Sequence, residues 1–405
     1  MALVVLLFAL PIGITFYQFA DRTMKSAMQE RRQKDAAQIA NNALTDYMRQ
    51  FAQDAYGGHY DLDSLERPEA FYSAGYSTVT FIPDAVNRTV YVRASGIYGT
   101  SANPLTTKGL EALIQFSSDL VQFGTMFNGT ASLGYSNIVY KGGFYVNGTF
   151  TETGTNVLFD GGPVIVKGNF AGKPSNTVNG DTFVSGSITG GVVVNGTRYA
   201  YAPAVDWPKL DFAYYDAHYT YKATSNKNIV FNATGTFTVD GTNYVIPSNG
   251  AIVYCENCSF TVRTSTIAGR VTLVAGANAA GSCSSAQGKI IFLGSAYYAG
   301  ASSITASAAN SFAALARNCI EWGATGSNRP VNILTVGVHF VQEGTSNMYC
   351  RGSATGRQWI YGNRTQVIQG AGWSAGTAIV YDPNLRSFPP PGLPEKAYLV
   401  NWKMH

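Results

Sequence analysis

The sequence predicts a mainly β protein with one long N-terminal α-helix, its β-structure arranged as a parallel β-helix or β-solenoid. Three observations lead to this prediction. The chain opens with a long apolar and then amphipathic segment. Of its 405 residues only 13% are charged, whereas 43 are glycine and 25 are tyrosine, a composition that favours β-structure over helices. Beyond residue 127, a short glycine motif recurs about every 20 residues.

The N-terminal segment 1–55 predicts a single helix. Residues 1–20 are apolar or uncharged throughout, which is long enough to span a bilayer. The stretch that follows places apolar residues at helical spacing, namely Ala36, Ile39, Ala40, Ala43, Leu44, Tyr47, Met48 and Phe51. At 1.5 Å per residue, such a helix of roughly 50 residues extends about 80 Å.

Three interpretations of residues 1–20 are open. A cleavable secretory signal is disfavoured, because no basic residue precedes the apolar run and no small-x-small site follows it. A simple transmembrane anchor fits the length. The third interpretation is a resemblance to the type IV pilin and pseudopilin family, carried by the apolar start, the helix-weakening Pro11 and Gly13, and the long amphipathic extension.

The resemblance implies that a short basic leader has been removed and that the helix forms the core of a filament. The residues that would line this core are Met1, Leu3, Val5, Leu7, Phe8, Pro11, Gly13, Phe16 and Phe19. Val5 stands where most members of the family carry a glutamate that neutralises the N-terminal amine of a neighbour. Another group must therefore compensate that amine. Val5 is compatible with a divergent filament or with a minor or tip subunit.

The segment 56–126 is interpreted as a connector with a small β-sheet and a helix. Alternating residues in 78–82 and 89–93 predict two of its strands. Its helix is expected over 106–126, where the apolar face would comprise Leu110, Leu113, Ile114, Phe116, Leu120 and Phe123.

The repeat is a Val-x-Gly-x-apolar motif centred on Gly148, Gly168 and Gly186, with a partial copy at Gly196. Repeats of this length, made of short strands and tight turns, fit a β-solenoid over 127–377. An ordinary β-sandwich with glycine turns is the alternative. The aromatic-rich segment near 200–226 interrupts the repeat and is expected to be a loop or short helix on the flank, with a sugar-binding aromatic platform as the alternative.

The C-terminal segment 378–405 is rich in proline and ends in a last strand, which could cap the open end of a solenoid. This tail is similar to that of bacterial pilin-like proteins with a β-helical domain after the helix.

The five cysteines predict disulfides if this region is exported. We expect a local bridge between Cys255 and Cys258, and longer-range bridges such as Cys319–Cys350. A CxxC motif with no βαβ context and no second ligand pair indicates neither a redox nor a metal site. Asn-x-Ser/Thr triplets mark candidate glycosylation sites at Asn87, Asn128, Asn147, Asn195, Asn232, Asn257 and Asn363.

Chemistry-bearing clusters are sparse, and the sequence predicts no catalytic, cofactor-binding or metal-binding residues. The nearest approach to a cluster is Asp206, Asp211, Asp216 and His218. A net charge of +4, with no basic run interleaved with aromatics, gives no case for a nucleic-acid partner.

Together with the resemblance, these observations predict a structural protein. It would be a subunit of an extracellular type IV pilus-like filament, anchored in the inner membrane before assembly and then packed against copies of itself. The resemblance implies a prepilin peptidase and an assembly ATPase as partners, and the neutral surface suits adhesion to cells or polysaccharides. Two alternatives remain open: a minor or tip pseudopilin or adhesin, and a membrane-anchored carbohydrate-active β-helix enzyme.

Overall fold

A computed structural model describes two compact units of the chain. We call residues 2–53, 70–117 and 396–404 the helix–sheet unit, and residues 118–395 the parallel-strand unit. The described residues are 2–53, 70–72, 74–84, 88–134, 136–203, 205, 207–300, 307, 309–323, 334–342, 348–350, 359–361, 378–380, 382 and 384–404. Among these, the side chains of 2–14, 50–53, 70–71, 334, 348–350, 359–361 and 378–380 are left undescribed.

The helix–sheet unit combines one helix, α1 (Ala2–Gln53), with a five-stranded antiparallel sheet in the order β1-β2-β3-β4-β35. The strands are β1 (Ala70–Tyr72), β2 (Gly75–Asp84), β3 (Thr89–Thr100), β4 (Asn103–Ser117) and β35 (Lys396–Met404). The two predicted strands are present: 78–82 lies within β2, 89–93 is the start of β3, and β2 and β3 pair antiparallel.

The core of this unit lies between the sheet and the C-terminal half of α1. Alternate residues of the strands face the helix, and its amphipathic stripe covers them. The buried set comprises Ala40, Ala43, Leu44, Tyr47, Val79, Phe81, Val90, Val92, Ala94, Leu110, Ala112, Ile114 and Phe116. The helical spacing of the stripe predicts one buried face, and in the structure the sheet covers that face.

The helix expected over 106–126 is wrong. Residues 103–117 form β4, a 3₁₀ turn η1 (Asp119–Val121) follows, and β5 (Phe123–Phe127) comes next. The apolar residues of this stretch fit a period of 2 as well as a helical period, because Leu110, Ala112, Ile114 and Phe116 alternate. Pairing along the full length of β3 decided between the two periods.

The C-terminal strand also differs from its prediction. β35 pairs antiparallel with β4, from Lys396 opposite Ser117 to Met404 opposite Leu110. It therefore closes the edge of the helix–sheet unit rather than the end of the stacked strands. The open edge of β4 supplies the backbone partners that the last strand needs.

In the first half of the parallel-strand unit, successive strands belong to three different sheets in rotation. One passage through all three sheets is called a circuit here, and each strand pairs in parallel with the strand one circuit later. Each circuit takes 16 to 20 residues, as the pairs Val146–Val166 and Thr182–Arg198 illustrate. After β5, the strands are β6 (Ala131–Leu133), β7 (Val139–Lys141), β8 (Gly143–Val146), β9 (Phe150–Glu152), β10 (Leu158–Asp160), β11 (Val164–Val166), β12 (Phe170–Ala171), β13 (Thr177–Val178), β14 (Thr182–Val184), β15 (Ile188–Thr189), β16 (Val193–Val194) and β17 (Arg198–Tyr199).

The second half begins after α2 (Phe212–His218) and repeats this plan with longer circuits. Its strands are β18 (Tyr221–Ala223), β19 (Lys227–Asn232), β20 (Thr236–Val239), β21 (Thr242–Val245), β22 (Ala251–Cys255), β23 (Phe260–Val262), β24 (Ser265–Ile267), β25 (Arg270–Ala275), β26 (Lys289–Phe292), β27 (Ala296–Tyr298), β28 (Ser311–Ala316), β29 (Cys319–Trp322), β30 (Leu334–Thr335), β31 (Val338–Val341), β32 (Met348–Cys350), β33 (Trp359–Tyr361) and β34 (Ala378–Val380). A short helix, α3 (Asn384–Ser387), follows.

One nine-stranded sheet joins the two halves in the order β16-β13-β10-β7-β34-β33-β30-β27-β24. The last circuit of the chain, through β34, therefore stacks in parallel on the first, through β7. Chain order is circularly permuted with respect to spatial order. The segment 200–220 carries the chain from the β16 end back to the β24 end, which explains why it breaks the repeat.

The predicted glycine repeat is a column at one corner of these circuits. Gly168 donates its backbone N–H to the Gly148 carbonyl at 2.8 Å, and Gly186 donates to Gly168 at 3.0 Å. A Cβ on Gly168 would approach the carbonyl carbon of Gly148 at 2.9 Å, so glycine is needed there. Gly196 instead approaches Gly180 at a different corner, although its sequence matches the same motif.

These observations confirm the coarse prediction of a mainly β chain with one long N-terminal helix. Many short strands pair in parallel, as the sequence predicts.

Candidate functional site

The clearest candidate interaction surface lies on α1, whose two ends differ in burial. Ala36, Ala40 and Tyr47 are at most 3% exposed against the sheet. Towards the N-terminus, large apolar side chains face solvent instead. We call these the apolar helix surface: Phe16 at 71%, Tyr17 at 75%, Phe19 at 68%, Met24 at 60% and Met28 at 50% exposure. A group of exposed apolar residues of this size is typical of a surface that binds another protein or a membrane.

The sheet holds the other half of α1 by close backbone packing. A Cβ on Gly96 of β3 would lie 2.0 Å from the Ala36 carbonyl oxygen and 2.5 Å from the Ala40 amide nitrogen. Glycine and two alanines thus allow the helix backbone to touch the strand. About two turns beyond Ala40, the Tyr47 ring stacks on Phe81 with 4.4 Å between ring centroids, and burial raises the pKa of Tyr47.

The filament-core residues predicted from the sequence fall in two groups. Phe16 and Phe19 are described and are largely exposed, so they are available for association. Met1 lies outside the described residues. The side chains of the remaining predicted residues are also undescribed, namely those of Leu3, Val5, Leu7, Phe8, Pro11 and Gly13. Within the described part of the chain, no helix has an apolar stretch long enough to cross a membrane.

Two exposed ion pairs lie on the solvent-facing side of α1. Lys25 pairs with Asp21 at 2.7 Å, and Lys34 pairs with Glu30 at 2.8 Å, both one turn apart. A hydrogen bond from Lys34 lowers the pKa of Glu30. All four side chains are well exposed, so solvent screens both pairs and they contribute little to stability.

A second apolar feature of the helix–sheet unit was not anticipated from the sequence. On β35, Leu399, Val400, Trp402 and Met404 are between 44% and 58% exposed. Trp402 stands opposite Ala112 and Met404 opposite Leu110. Directly opposite residues share a face, so these two side chains lie on the face of the sheet that carries α1. Only the pairing register reveals this.

The acidic cluster near 206–218 does not form a single site. Asp211 is the N-cap of α2, where one carboxylate oxygen accepts from the Ala213 and Tyr214 amides. Asp216 forms an ion pair with Lys222. His218 Nδ1 lies 2.9 Å from the Tyr214 carbonyl oxygen. Asp206 lies outside the described residues.

The described residues of the parallel-strand unit include two disulfides. Cys255 is bonded to Cys258 across a turn, and Cys283 is bonded to Cys319. The second bridge corrects the Cys319–Cys350 pairing suggested by the sequence. The reason is topological: the loop after β25 returns Cys283 to the start of β29, where the Cα atoms of the pair are 5.0 Å apart. The side chain of Cys350 is outside the described set.

The candidate glycosylation sites occupy distinct environments, and their occupancy stays a prediction. The Asn147 amide donates to Asn128 at 3.0 Å, and the Asn195 amide donates to Asn179 at 3.0 Å, so both belong to ladders between circuits. Asn232 donates to Thr236 at 3.3 Å. Asn257 has a φ of 54° in the turn closed by its neighbouring cysteines. Asn87 and Asn363 lie outside the described residues.

No protein-family model matches this chain, and no curated protein matches it. Among solved structures, the chain is similar to the competence-associated pilin ComZ from Thermus thermophilus. That alignment covers 92% of this chain and 97% of the other, with 13% sequence identity and a TM-score of 0.29. A similarity this distant does not establish a shared fold.

Proposed function

We propose that this chain is a structural subunit of an extracellular filament of the type IV pilus kind, assembled through α1. In this proposal the parallel-strand unit is a β-solenoid displayed on the outside. The subunit has copies of itself as its main partners and has no enzymatic role.

The observation that carries the proposal is the division of α1. This helix of 52 residues has a half that is built into its own unit and a half with apolar side chains exposed to solvent. A helix that served only its own fold would end near the sheet. This helix instead continues with Phe16, Tyr17 and Phe19 exposed to water. That exposure is unfavourable for an isolated chain and is explained if other helices or a membrane cover these side chains.

Hydrophobic burial gives the scale of the effect. Fully covering one large apolar side chain contributes about 1.5–3 kcal/mol. Several such residues on each subunit, repeated along a helical core, supply a substantial driving force for association. Before assembly, the inner membrane would receive the same surface. We propose that a prepilin peptidase and an assembly ATPase act on the chain at that stage.

The displayed unit suits an exterior position. Its parallel circuits bury two hydrophobic clusters: one around Phe144, Phe150 and Phe159 in the first half, and a larger one in the second half. Only 13% of the whole chain is charged, and polar Asn, Ser and Thr dominate the turns. A neutral, tightly hydrogen-bonded coat resists proteolysis and offers surface for adhesion.

The test uses matched glutamate substitutions in the producing organism. Phe19→Glu changes a side chain on the apolar helix surface that is 68% exposed, and Val245→Glu changes one in the parallel-strand unit with the same 68% exposure. Sheared surface material is examined by electron microscopy and mass spectrometry. We expect helical filaments of this chain in the wild type and in Val245→Glu, and their loss in Phe19→Glu with the subunit still present in cells.

The outcomes separate the alternatives. Filaments that persist unchanged in Phe19→Glu contradict assembly through α1. A wild-type chain present only in trace amounts in filaments made of another protein contradicts the major-subunit role and leaves the tip-subunit role. A chain absent from all surface filaments contradicts both.

A further inference from the structure

A cavity of about 320 Å³ opens beside α2 in the parallel-strand unit. It lies where α2, which is part of the segment 200–220, meets the circuits of β22, β25 and β28. Its walls are formed by Phe212 and Asp216 of α2, Tyr254 and Glu256 at the end of β22, and Asn278 and Arg317 from the next two circuits. A volume of this size accommodates one or two sugar rings and falls at the lower end of the usual range for ligand pockets.

The charges around the cavity balance. Lys222 forms ion pairs with Asp216 and with Glu256, the latter at 2.7 Å, so one ammonium group holds two carboxylates at the rim. The hydrogen bonds that Lys222 donates to Asp216 and Glu256 raise the pKa of Lys222, which therefore stays charged. Arg317 supplies a second cation. The cavity offers carboxylate acceptors, amide groups and guanidinium donors without a net charge.

The aromatic wall is oriented as well. The Arg317 guanidinium carbon lies 5.9 Å from the centroid of the Phe212 ring, and its Nη1 donates to the Ala277 carbonyl at 2.6 Å. The Phe212 side chain is only half-buried, so part of the ring is open to the cavity. A half-exposed ring beside fixed donors can pack against the C–H face of a sugar while its hydroxyl groups are hydrogen-bonded.

The walls are fixed before any ligand arrives. The Cys255–Cys258 disulfide closes the turn that carries Glu256 and Asn257. Asp211 caps α2, and the Tyr215 hydroxyl donates to the Gly392 carbonyl at 2.9 Å, which ties the helix to the chain beyond α3. Preorganisation of this kind reduces the entropic cost of binding.

We propose that this cavity is a binding site for a neutral carbohydrate. Two carboxylates at the rim disfavour polyanions, and the two cations disfavour polycations. The polar lining disfavours a purely apolar ligand. A neutral sugar matches all three conditions, because each hydroxyl both donates and accepts and the ring face is apolar. The proposal goes beyond the filament role and does not depend on it.

The experiment titrates the full-length chain in detergent micelles with defined tetrasaccharides by calorimetry. Neutral probes are cello-, malto-, manno- and chitotetraose, and charged probes are tetragalacturonate and chitosan tetramer. The variants are Phe212→Ala and Asn278→Ala. The matched control is Tyr219→Ala, an exposed aromatic residue one position after α2 that does not line the cavity.

We expect at least one neutral tetrasaccharide to bind the wild type and Tyr219→Ala with the same affinity. Phe212→Ala and Asn278→Ala should each weaken it about tenfold or more, with thermal unfolding unchanged for the exposed Asn278. The proposal is overturned if no neutral probe binds at millimolar concentration, if the charged probes bind better, or if both cavity variants retain wild-type affinity.

Discussion

Gly96 of β3 touches the backbone of α1 at Ala36. No side chain can be accommodated between them, since a Cβ on Gly96 would stand 2.0 Å from the Ala36 carbonyl oxygen. This contact sets how closely the helix approaches the sheet, and the helix carries the apolar surface proposed for assembly. Gly96 is therefore one of the residues that position this surface.

Gly96→Ala is expected to push α1 away from the sheet and to lower the free energy of unfolding by about 1–3 kcal/mol, the usual cost of overpacking. Gly109→Ala is the matched control, because a Cβ there meets nothing within 4 Å. Denaturant unfolding of both full-length variants in the same detergent measures the difference. Equal stability of the two variants would contradict the close-packing argument.

Glu152 makes stability depend on pH near neutrality. Its side chain is 1% exposed, one carboxylate oxygen accepts from the Gly154 amide at 2.8 Å, and the other has no hydrogen-bond partner. Burial is the main cause that raises the pKa of Glu152 to about 7. Because the folded pKa exceeds the ordinary value of 4.5, this group's contribution to stability is complete below pH 4.5 and is lost as pH rises towards 7.

Glu152→Gln should remove this loss and become more stable than the wild type at pH 8, by up to about 3 kcal/mol. The exposed Glu30→Gln is the control and should leave the pH dependence over this range intact. The measurement is the free energy of unfolding from pH 4 to pH 8. Parallel curves for the wild type and Glu152→Gln would refute the prediction.

Asn179 links three circuits through an amide ladder. Its Nδ2 donates to Asp160 at 3.1 Å, and its Oδ1 accepts from Asn195 at 3.0 Å. Asn179→Asp would place two carboxylates side by side, whereas Asn179→Ala removes the bonds without adding charge. We expect Asn179→Asp to be less stable than Asn179→Ala by about 0.5–1 kcal/mol at low salt.

That gap should shrink in 1 M salt, because screening acts on exposed charges. Thermal unfolding of both variants at low salt and in 1 M salt tests this. A gap that is the same at both salt concentrations would show that the ladder geometry, not charge, controls the effect.

The Cys283–Cys319 bridge spans 36 residues and ties the loop after β25 to β29. Cys283→Ser should lower stability by up to about 4 kcal/mol on the chain-entropy account of disulfides. Reductant should affect the stability of this variant less than that of the wild type. Non-reducing peptide mapping provides the direct check, and recovery of a Cys319–Cys350 peptide instead would contradict the assigned pairing.

Much of the fold was predictable because its signals are local. The apolar stripe from Ala36 to Tyr47 predicted a helix with one buried face, and that face is buried in the structure. The repeated glycines Gly148, Gly168 and Gly186 predicted stacked turns. Each of them lies where the backbone of the neighbouring circuit leaves no room for a side chain. The helix prediction for residues 106–117 was wrong because the apolar residues there fit both the helical and the strand period.

The candidate sites were less predictable for a related reason. Asp211 and Asp216 looked like members of one acidic group, yet one caps a helix and the other pairs with Lys222 at the cavity rim. The cavity unites Phe212 with Arg317, more than a hundred positions later in the chain. No local pattern connects two such residues.

By itself the sequence determined the elements: a long helix with an apolar start, short strands, glycine corners and a neutral polar surface. These follow from periodicity and composition, which neighbouring residues set. The tertiary structure decided which elements meet, including β34 stacked on β7, β35 paired with β4, and Cys319 bonded to Cys283. Such pairings depend on the order in which circuits stack, and backbone hydrogen bonds between strands are nearly indifferent to the side chains they carry, so only the folded chain selects among them.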